Sequence, residues 1–348
     1  MSKLLIPGGL ALISLLNPSC KRSPDSMQSA ESPEKPNVLI IITDDQGWGD
    51  IHSHGNDTIS TPNIDKLASQ SFRFDRFYVS PVCAPTRASL LTGRYHLRTG
   101  VHGVTGRREI MRNSELTIAE LFRSEDYTTS YFGKWHNGAD YPHNPNGQGF
   151  NHFFGFSAGH WNNYFDTKLE WNGRMMDTQG FITDVLTDSV IAEIEKNKNT
   201  SFFQVVSYNV PHSPFQVPDK YFEKYRNKGL DDETSCVYGM IENVDENIGR
   251  ILKTIEDAGI ADKTLILFLT DNGPNTWRFN GGLKGKKGWV DEGGVKVPCF
   301  LRVPWLCTGE IHIPILAAHI DILPTLASIS GIDLPVGLPI DGVNLLPV

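Results

Sequence analysis

From Asn37 to Thr43 the chain reads Asn-Val-Leu-Ile-Ile-Ile-Thr, a β-branched run with no polar position along its middle. Strict alternation would leave one face of a strand wet. A continuous run predicts a strand buried on both faces, as in a parallel sheet. Apolar-rich stretches at 72–79, 127–132, 202–208 and Thr264–Thr270 predict further strands. Between them, 62–71, 85–91, 116–124 and 181–196 predict helices. The longest amphipathic segment, 235–258, places Val237, Met240, Ile241, Val244, Ile248 and Ile251 three and four residues apart, the spacing of one helical face. Strands alternating with helices predict an α/β fold, a mostly parallel sheet with helices on both faces.

Two of these strands run into oxygen-bearing residues. Thr43 is followed by Asp44 and Asp45, and Thr270 by Asp271, Asn272 and Gly273. In open α/β sheets the carboxyl ends of strands face the ligand crevice, so these four side chains can converge although more than 220 positions separate the pairs. Three carboxylates and an amide form a hard oxygen set suited to Ca²⁺ and less readily to Mg²⁺, and the lack of an adjacent His/Cys cluster argues against Zn²⁺. Each pair also has a plainer reading, as a helix cap or an Asx turn.

Composition narrows the class. A 39% hydrophobic content with seven Trp, ten Tyr and eighteen Phe fills a sizeable core, which excludes disorder over most of the 348 residues. With 32 Lys and Arg against 40 Asp and Glu, the net charge of −8 excludes a general nucleic-acid binder. An anionic substrate must then be met by a local cationic pocket.

The amino terminus departs from this pattern. Lys3 precedes a largely apolar run, 4–16, that has the character of a signal peptide and is too short for a membrane span of about 20 residues. Cys20 follows it and leads into a Ser/Pro/charge-rich stretch, which resembles a lipoprotein cleavage site, although Asn17-Pro18-Ser19 departs from the usual small-residue box. The expected organisation is a signal peptide over 1–20, a flexible linker over 21–36 and a folded domain over 37–348. The expected location is the periplasm or cell envelope, with a lipid anchor through Cys20. Cys83, Cys236, Cys299 and Cys307 lack the spacing of a disulfide framework. Cys299 and Cys307 could pair in an oxidising compartment, but buried single thiols are favoured.

The most specific string is Cys83-Ala84-Pro85-Thr86-Arg87, continued by Ser89 and Leu90-Leu91-Thr92-Gly93-Arg94. It resembles the modification signature of the formylglycine-dependent, arylsulfatase-like sulfatases of the alkaline phosphatase superfamily, whose Cys is oxidised to an aldehyde before folding. The resemblance runs over 36–346. Pro36-Asn37-Val38 leading to Asp44-Asp45, then Thr61-Pro62-Asn63-Ile64-Asp65 and Leu67-Ala68, is similar to the family's opening. Gly133-Lys134-Trp135-His136 is similar to its second signature, with Asp126 where Gly is commoner and Asn137 where an apolar residue is. Pro211-His212 resembles its Pro-His. Lys284, Lys286 and Lys287 before Glu292-Gly293-Gly294 resemble its late lysine loop, with Lys287 assigned by spacing. Singly, Lys134, His136, His212 and Lys287 would pass as surface charges or structural histidines; their ordered recurrence overturns that.

The resemblance implies an alkaline-phosphatase-like fold, with the family's small C-terminal subdomain missing from this chain, and a sulfuric ester hydrolase. It implies formylglycine at Cys83, installed by a maturation enzyme, and Ca²⁺ held by Asp44, Asp45, Asp271 and Asn272 together with the modified Cys83. Arg87 would hold the aldehyde hydrate, and Lys134 and Lys287 the sulfate oxygens. Asp271 and His136 would accept protons, and His212 would donate one to the leaving oxygen. The chemistry asks for such a set. A sulfate monoester repels nucleophiles, and a serine would be left sulfated, whereas a geminal diol can expel sulfate and return to the carbonyl.

Nothing in these motifs reads the alcohol. His160-Trp161-Asn162-Asn163-Tyr164, Trp171-Asn172-Gly173-Arg174, Trp277-Arg278 and Trp289 combine ring faces with polar groups, which suits a sulfated glycan, core packing being the alternative for each Trp. The rival functions are a phosphoester or phosphonate ester hydrolase of the same superfamily and a noncatalytic glycan-binding relic.

Overall fold

The structure, a computed structural model, describes residues 32–346. The signal-peptide segment, Cys20 and most of the linker lie outside the described residues. In chain order the elements are β1 (Asn37–Thr43), α1 (Pro62–Ala68), β2 (Phe72–Tyr78), α2 (Cys83–Thr92), α3 (Ile118–Ser124), β3 (Thr128–Lys134), β4 (His152–Phe156), β5 (Lys168–Trp171), β6 (Arg174–Asp177), α4 (Ile182–Asn197), β7 (Phe202–Ser207), α5 (Asp219–Arg226), α6 (Asp232–Asp257), β8 (Thr264–Thr270), α7 (Glu292–Val295), β9 (Cys299–Arg302), β10 (Ile311–Ala318) and α8 (Ile322–Ile329). The strands form one sheet in the order β10-β2-β9-β8-β1-β7-β3-β4-β5-β6.

All seven residues of β1 are buried. It lies parallel between β7 and β8, with Ile40 opposite Val205 on one side and Leu267 on the other. The period of two sorts its side chains. Val38, Ile40 and Ile42 enter a core with Ala88 and Leu91 of α2, Phe122 of α3 and Leu326 of α8. Leu39 and Ile41 enter a second core with Leu67 of α1, Val190 of α4 and Met240, Val244, Ile248 and Ile251 of α6. Each such burial gains roughly 1.5–3 kcal/mol, and together they seat helices on both sheet faces as expected. The single stripe expected along α6 is split, since Val237 and Ile241 turn to a small cluster with Ile59, Tyr225 and Tyr238.

The five strands β8-β1-β7-β3-β4 are parallel, and their carboxyl ends share one rim. Antiparallel pairing begins outside them, at β9 on one side and at β5 and β6 on the other. Sequence periodicity missed β4, β5, β6, β9 and β10. Helix α2 starts at Cys83, two residues before its expected start, and closes at Gly93, whose φ of 66° is the left-handed C-cap conformation. Asp126 has φ 60°, which accounts for the Gly commoner at this place in the resembled family. Cys83, Cys236, Cys299 and Cys307 are all free and buried, so Cys299 and Cys307 do not pair.

Candidate active site

Because Thr43 and Thr270 are register partners, the residues after β1 and β8 leave the sheet side by side. Asp271 N donates to Thr43 O at 3.1 Å, and Asp44 N to Val210 O, beyond β7, at 3.2 Å. Asp45 takes a left-handed φ of 68°, its N–H donating to Asp271 Oδ1 at 3.2 Å. Asn272 Nδ2 donates to Asp45 Oδ1 at 2.8 Å. All four predicted ligands are buried.

Three of their oxygens, Asp44 Oδ1, Asp45 Oδ2 and Asn272 Oδ1, are buried with no hydrogen-bond partner among the described residues. Such orphans are costly, and the three side chains are neighbours, Asn272 being bonded to Asp45 and Asp44 preceding it in the chain. Ligand atoms of Asp44, Cys83 and Asp271 lie within 4.8 Å of one another, as do those of Asp44, Asp45 and His212. A hard, oxygen-rich donor set with unfilled lone pairs fits Ca²⁺.

Cations complete the cluster. Lys134 Nζ, at the end of β3, is 2.5 Å from Asp44 Oδ2, and Lys287 Nζ is 2.6 Å from Asp45 Oδ1. Arg87, one turn along α2 from Cys83, reaches Asp271 Oδ2 through Nε at 3.1 Å and Nη2 at 2.7 Å. Its Nη1 donates to Lys134 O at 2.9 Å and to Ser207 Oγ. Burial alone would raise Asp44, but Lys134, His212, Arg87 and Lys287 hold it well below the usual carboxylate range. Burial, then the Asp44 charge, pushes Asp271 up to about 7 against the pull of Arg87. Burial opposes the charge on Lys287, yet Asp45 and its neighbours raise it. The Cys83 thiol is raised by burial.

The two histidines are held by carbonyls. His136 Nε2 is 2.8 Å from Val104 O, which can only accept, so Nε2 carries the hydrogen and the buried Nδ1 presents a free lone pair. Burial and Lys134 lower this ring to about 2, which keeps it neutral. Its seat admits no side chain on the facing residue: a Cβ on Gly159 would lie 2.1 Å from His136 Nε2. His212 Nδ1 donates to Ser213 O at 2.6 Å, so Nε2, 3.8 Å from Asp45 Oδ2, is a donor only when the ring is charged. A cleft of about 390 Å³, lined by Glu109, His136, Gly159 and His160 among others, opens beside these rings.

Cys83, Arg87, Lys134, His136, His212, Lys287, Asp44, Asp45, Asp271 and Asn272 are thus brought together. Of the expected sugar readers, His160 lines the cleft, whereas others turn inward. Arg278 turns inward to a buried ion pair with Asp50 at 2.6 Å. Tyr164 is buried and donates to His212 O at 3.0 Å, bracing that loop from within. Trp161 packs on Phe156 with ring centroids 5.0 Å apart. Trp277 and Trp289 remain 64% and 44% exposed. Sequence reasoning missed the parts played by Asp50, Tyr164 and Asn137. Asn137 Nδ2 donates to Ala84 O at 3.0 Å, tying the His136 loop to the start of α2, and an apolar residue there would lack that bond.

Known proteins resemble this chain over most of its length. The family model described as Sulfatase matches residues 36–332. Arylsulfatase A of Bos taurus is 31% identical over 92% of this chain and 68% of its own. N-acetylgalactosamine-6-sulfatase of Mus musculus is 28% identical over 92% of this chain and 67% of its own. The chain therefore spans about two thirds of the length of these relatives. The crystal structure of Ps i-CgsB in complex with k-i-k-neocarrahexaose superposes with a TM-score of 0.84 at 30% identity, covering 90% of this chain and 76% of that one. Since the matched span runs from before β1 to beyond α8 and takes in every element that carries the site, the chain belongs to the sulfatase family.

Proposed function

We propose that this sulfatase removes sulfate from a sulfated carbohydrate, using a formylglycine hydrate made from Cys83 and a Ca²⁺ held by Asp44, Asp45, Asp271 and Asn272. The observation that carries the reading is the set of orphaned oxygens of Asp44, Asp45 and Asn272 beside Cys83, inside a ring of Arg87, Lys134 and Lys287. When bound there, Ca²⁺ supplies positive charge where anionic charge develops.

The remaining roles fall to side chains. The Cys83 thiol occupies the place of the hydrate oxygens. One hydroxyl attacks sulfur and gives its proton to Asp271, whose ligand atom lies within 4.8 Å of the Cys83 sulfur. The bond from sulfur to the sugar oxygen breaks, and that oxygen takes a proton from charged His212. His136 Nδ1 then accepts the proton of the second hydroxyl, the carbon–oxygen bond to sulfate breaks, and the carbonyl returns, to be rehydrated by water. Lys134 and Lys287 each spend one N–H on a carboxylate and keep others for sulfate oxygens.

A sugar is favoured by the exposed Trp277 and Trp289, edge to face at 5.9 Å, with Lys286 Nζ 5.2 Å from the Trp277 ring centroid and adjacent in sequence to Lys287. Export and anchoring through Cys20 belong to the same proposal and would put the enzyme where polymeric glycans are met. The test pairs peptide mass spectrometry at position 83 with sulfate release from defined sulfated oligosaccharides and their phosphate analogues. The proposal expects formylglycine and sulfate release. A fully active protein carrying only unmodified Cys83 would overturn the mechanism, and faster turnover of the phosphate esters would overturn the reaction class.

A further inference from the structure

Arg278 spends every guanidinium nitrogen inside the protein. Nε donates to Asp50 Oδ1 at 2.9 Å and Oδ2 at 3.0 Å, and Nη2 to Asp50 Oδ2 at 2.6 Å. Nη1 reaches Thr276 Oγ1 at 2.8 Å and Asn275 Oδ1 at 3.3 Å. The second bond of Nη2, at 2.9 Å, goes to the backbone carbonyl of Asp45. Asp50 in turn accepts Gly47 N at 2.7 Å, and Asn280 Oδ1 accepts Gly49 N at 3.0 Å. The two loops approach so closely that a Cβ on Gly49 would lie 2.5 Å from Asn280 Cα.

We propose that the Asp50–Arg278 pair is a positioning clamp: it holds the 45–46 peptide, keeps Asp45 in its left-handed turn, and thereby sets the cation affinity of the site. Both sides of the Asp45 Cα are pinned, the N–H by Asp271 Oδ1 and the carbonyl by Arg278, leaving only side-chain torsions free. A left-handed φ is uncommon for a residue with a Cβ, and although Asp tolerates it better than most, hydrogen bonds on both sides fix it here. Stability alone is a weak reason to bury such a pair, since an apolar replacement of equal volume is often neutral or better. A planar fork that grips a carboxylate and still has a donor for a carbonyl is what Arg offers and Lys does not. Neither residue supplies one of the orphaned oxygens.

The inference rests on the cation reading above, and the experiment separates the two. Calorimetric Ca²⁺ titration of the wild type, R278K and the charge-neutral double variant D50N/R278Q should show affinity 10–100-fold weaker in both variants, the usual loss when an outer partner of a ligand is removed. R278K keeps the charge without the fork, so wild-type affinity in it would overturn the clamp. Unchanged affinity in the double variant would do the same. No Ca²⁺ binding by the wild type would overturn the cation reading, and the clamp with it. Wild-type hydrogen exchange needs no variant to fold: in chelator, amides of Gly47 and Asp50 should stay protected. Protection appearing only on adding Ca²⁺ would mean that the ion organises the loop, and would refute the clamp.

Discussion

Strands β1 and β6 belong to one sheet and share almost nothing else. All seven residues of β1 are buried between two parallel neighbours, while all four of β6 are exposed on an outer antiparallel hairpin. The centre is the costlier place to put charge, yet the charge is there: Asp44, Asp45, Arg87, Lys134 and Asp271 are all buried at its carboxyl rim. Burial is tolerable because every group has an opposite partner and because adjacent parallel strands deliver those partners at fixed spacing. The edges carry exposed pairs such as Lys168–Asp177 at 3.3 Å, which solvent screens to little net energy. The charged cluster thus sits where burial is deepest, and the edges keep solvated pairs.

The largest expected contrast is in turnover. Cys83→Ala should lower sulfate release by at least about 10⁴-fold, the scale of losing a covalent nucleophile, while Met175→Ala on β6 stays within about twofold of wild type. Steady-state rates on nitrophenyl sulfate measure both, and a comparable loss in the two would erase the distinction between centre and edge. Next comes the cation. Exhaustive chelation, or Asp45→Ala, should cost on the order of 10²–10³-fold, with added Ca²⁺ restoring the chelated wild type but not the variant. Full activity after chelation would remove Ca²⁺ from the account.

Stability sharpens the comparison further. Ile41→Ala should cost about 2–5 kcal/mol by leaving a cavity in a close-packed core, whereas Leu316→Ala, at a β10 position 64% exposed, should stay within about 0.5 kcal/mol. Urea unfolding midpoints decide it, and equal shifts would mean that the β10 edge is covered in solution.

The last effect appears only in acid. Burial, and then Arg73, lower His54 to about 3, while the backbone carbonyl of Trp48 pulls the other way. The unfolded histidine takes up its proton near 6.5, so above that pH the group adds nothing. Below it, the unfolded state alone is protonated, and stability falls by about 1.4 kcal/mol per pH unit until about pH 3. His54→Phe should remove that loss, so the variant gains on wild type between pH 6.5 and 4.5. Parallel unfolding curves at the two pH values would refute the assignment.

The same contrast explains what could be read from the sequence. Strands β1, β7 and β8 are fully buried, so their apolar runs announce them, and the ligands at the ends of β1 and β8 follow from strand polarity. Four-residue strands such as β5, β6 and β9 have too few positions for a period to show, and their pairing is set by tertiary neighbours. Motifs were enough for Cys83, Arg87, Lys134, His136, His212 and Lys287, because each lies in a contiguous string. Arg278 was misread as a sugar contact because its partner, Asp50, is 228 positions away and no local pattern couples them. Tyr164 was misread for the same reason, its acceptors being the carbonyls of His212 and Ser213.

The depth of Cys83 becomes a question of timing once synthesis is considered. Its lid is made of late parts, with Asp271 emerging 188 residues after it and Lys287 later still. At roughly 5–20 residues per second, that interval lasts on the order of 10–40 s, during which the thiol and the following motif are still a peptide. Any enzyme that must grip the segment in extended form has that window and little more, because the finished fold buries it. If Cys83 is matured as proposed, substitutions that speed closure of the sheet would yield a sounder protein with a smaller active fraction, and slower elongation beyond β7 would raise that fraction without altering a single residue.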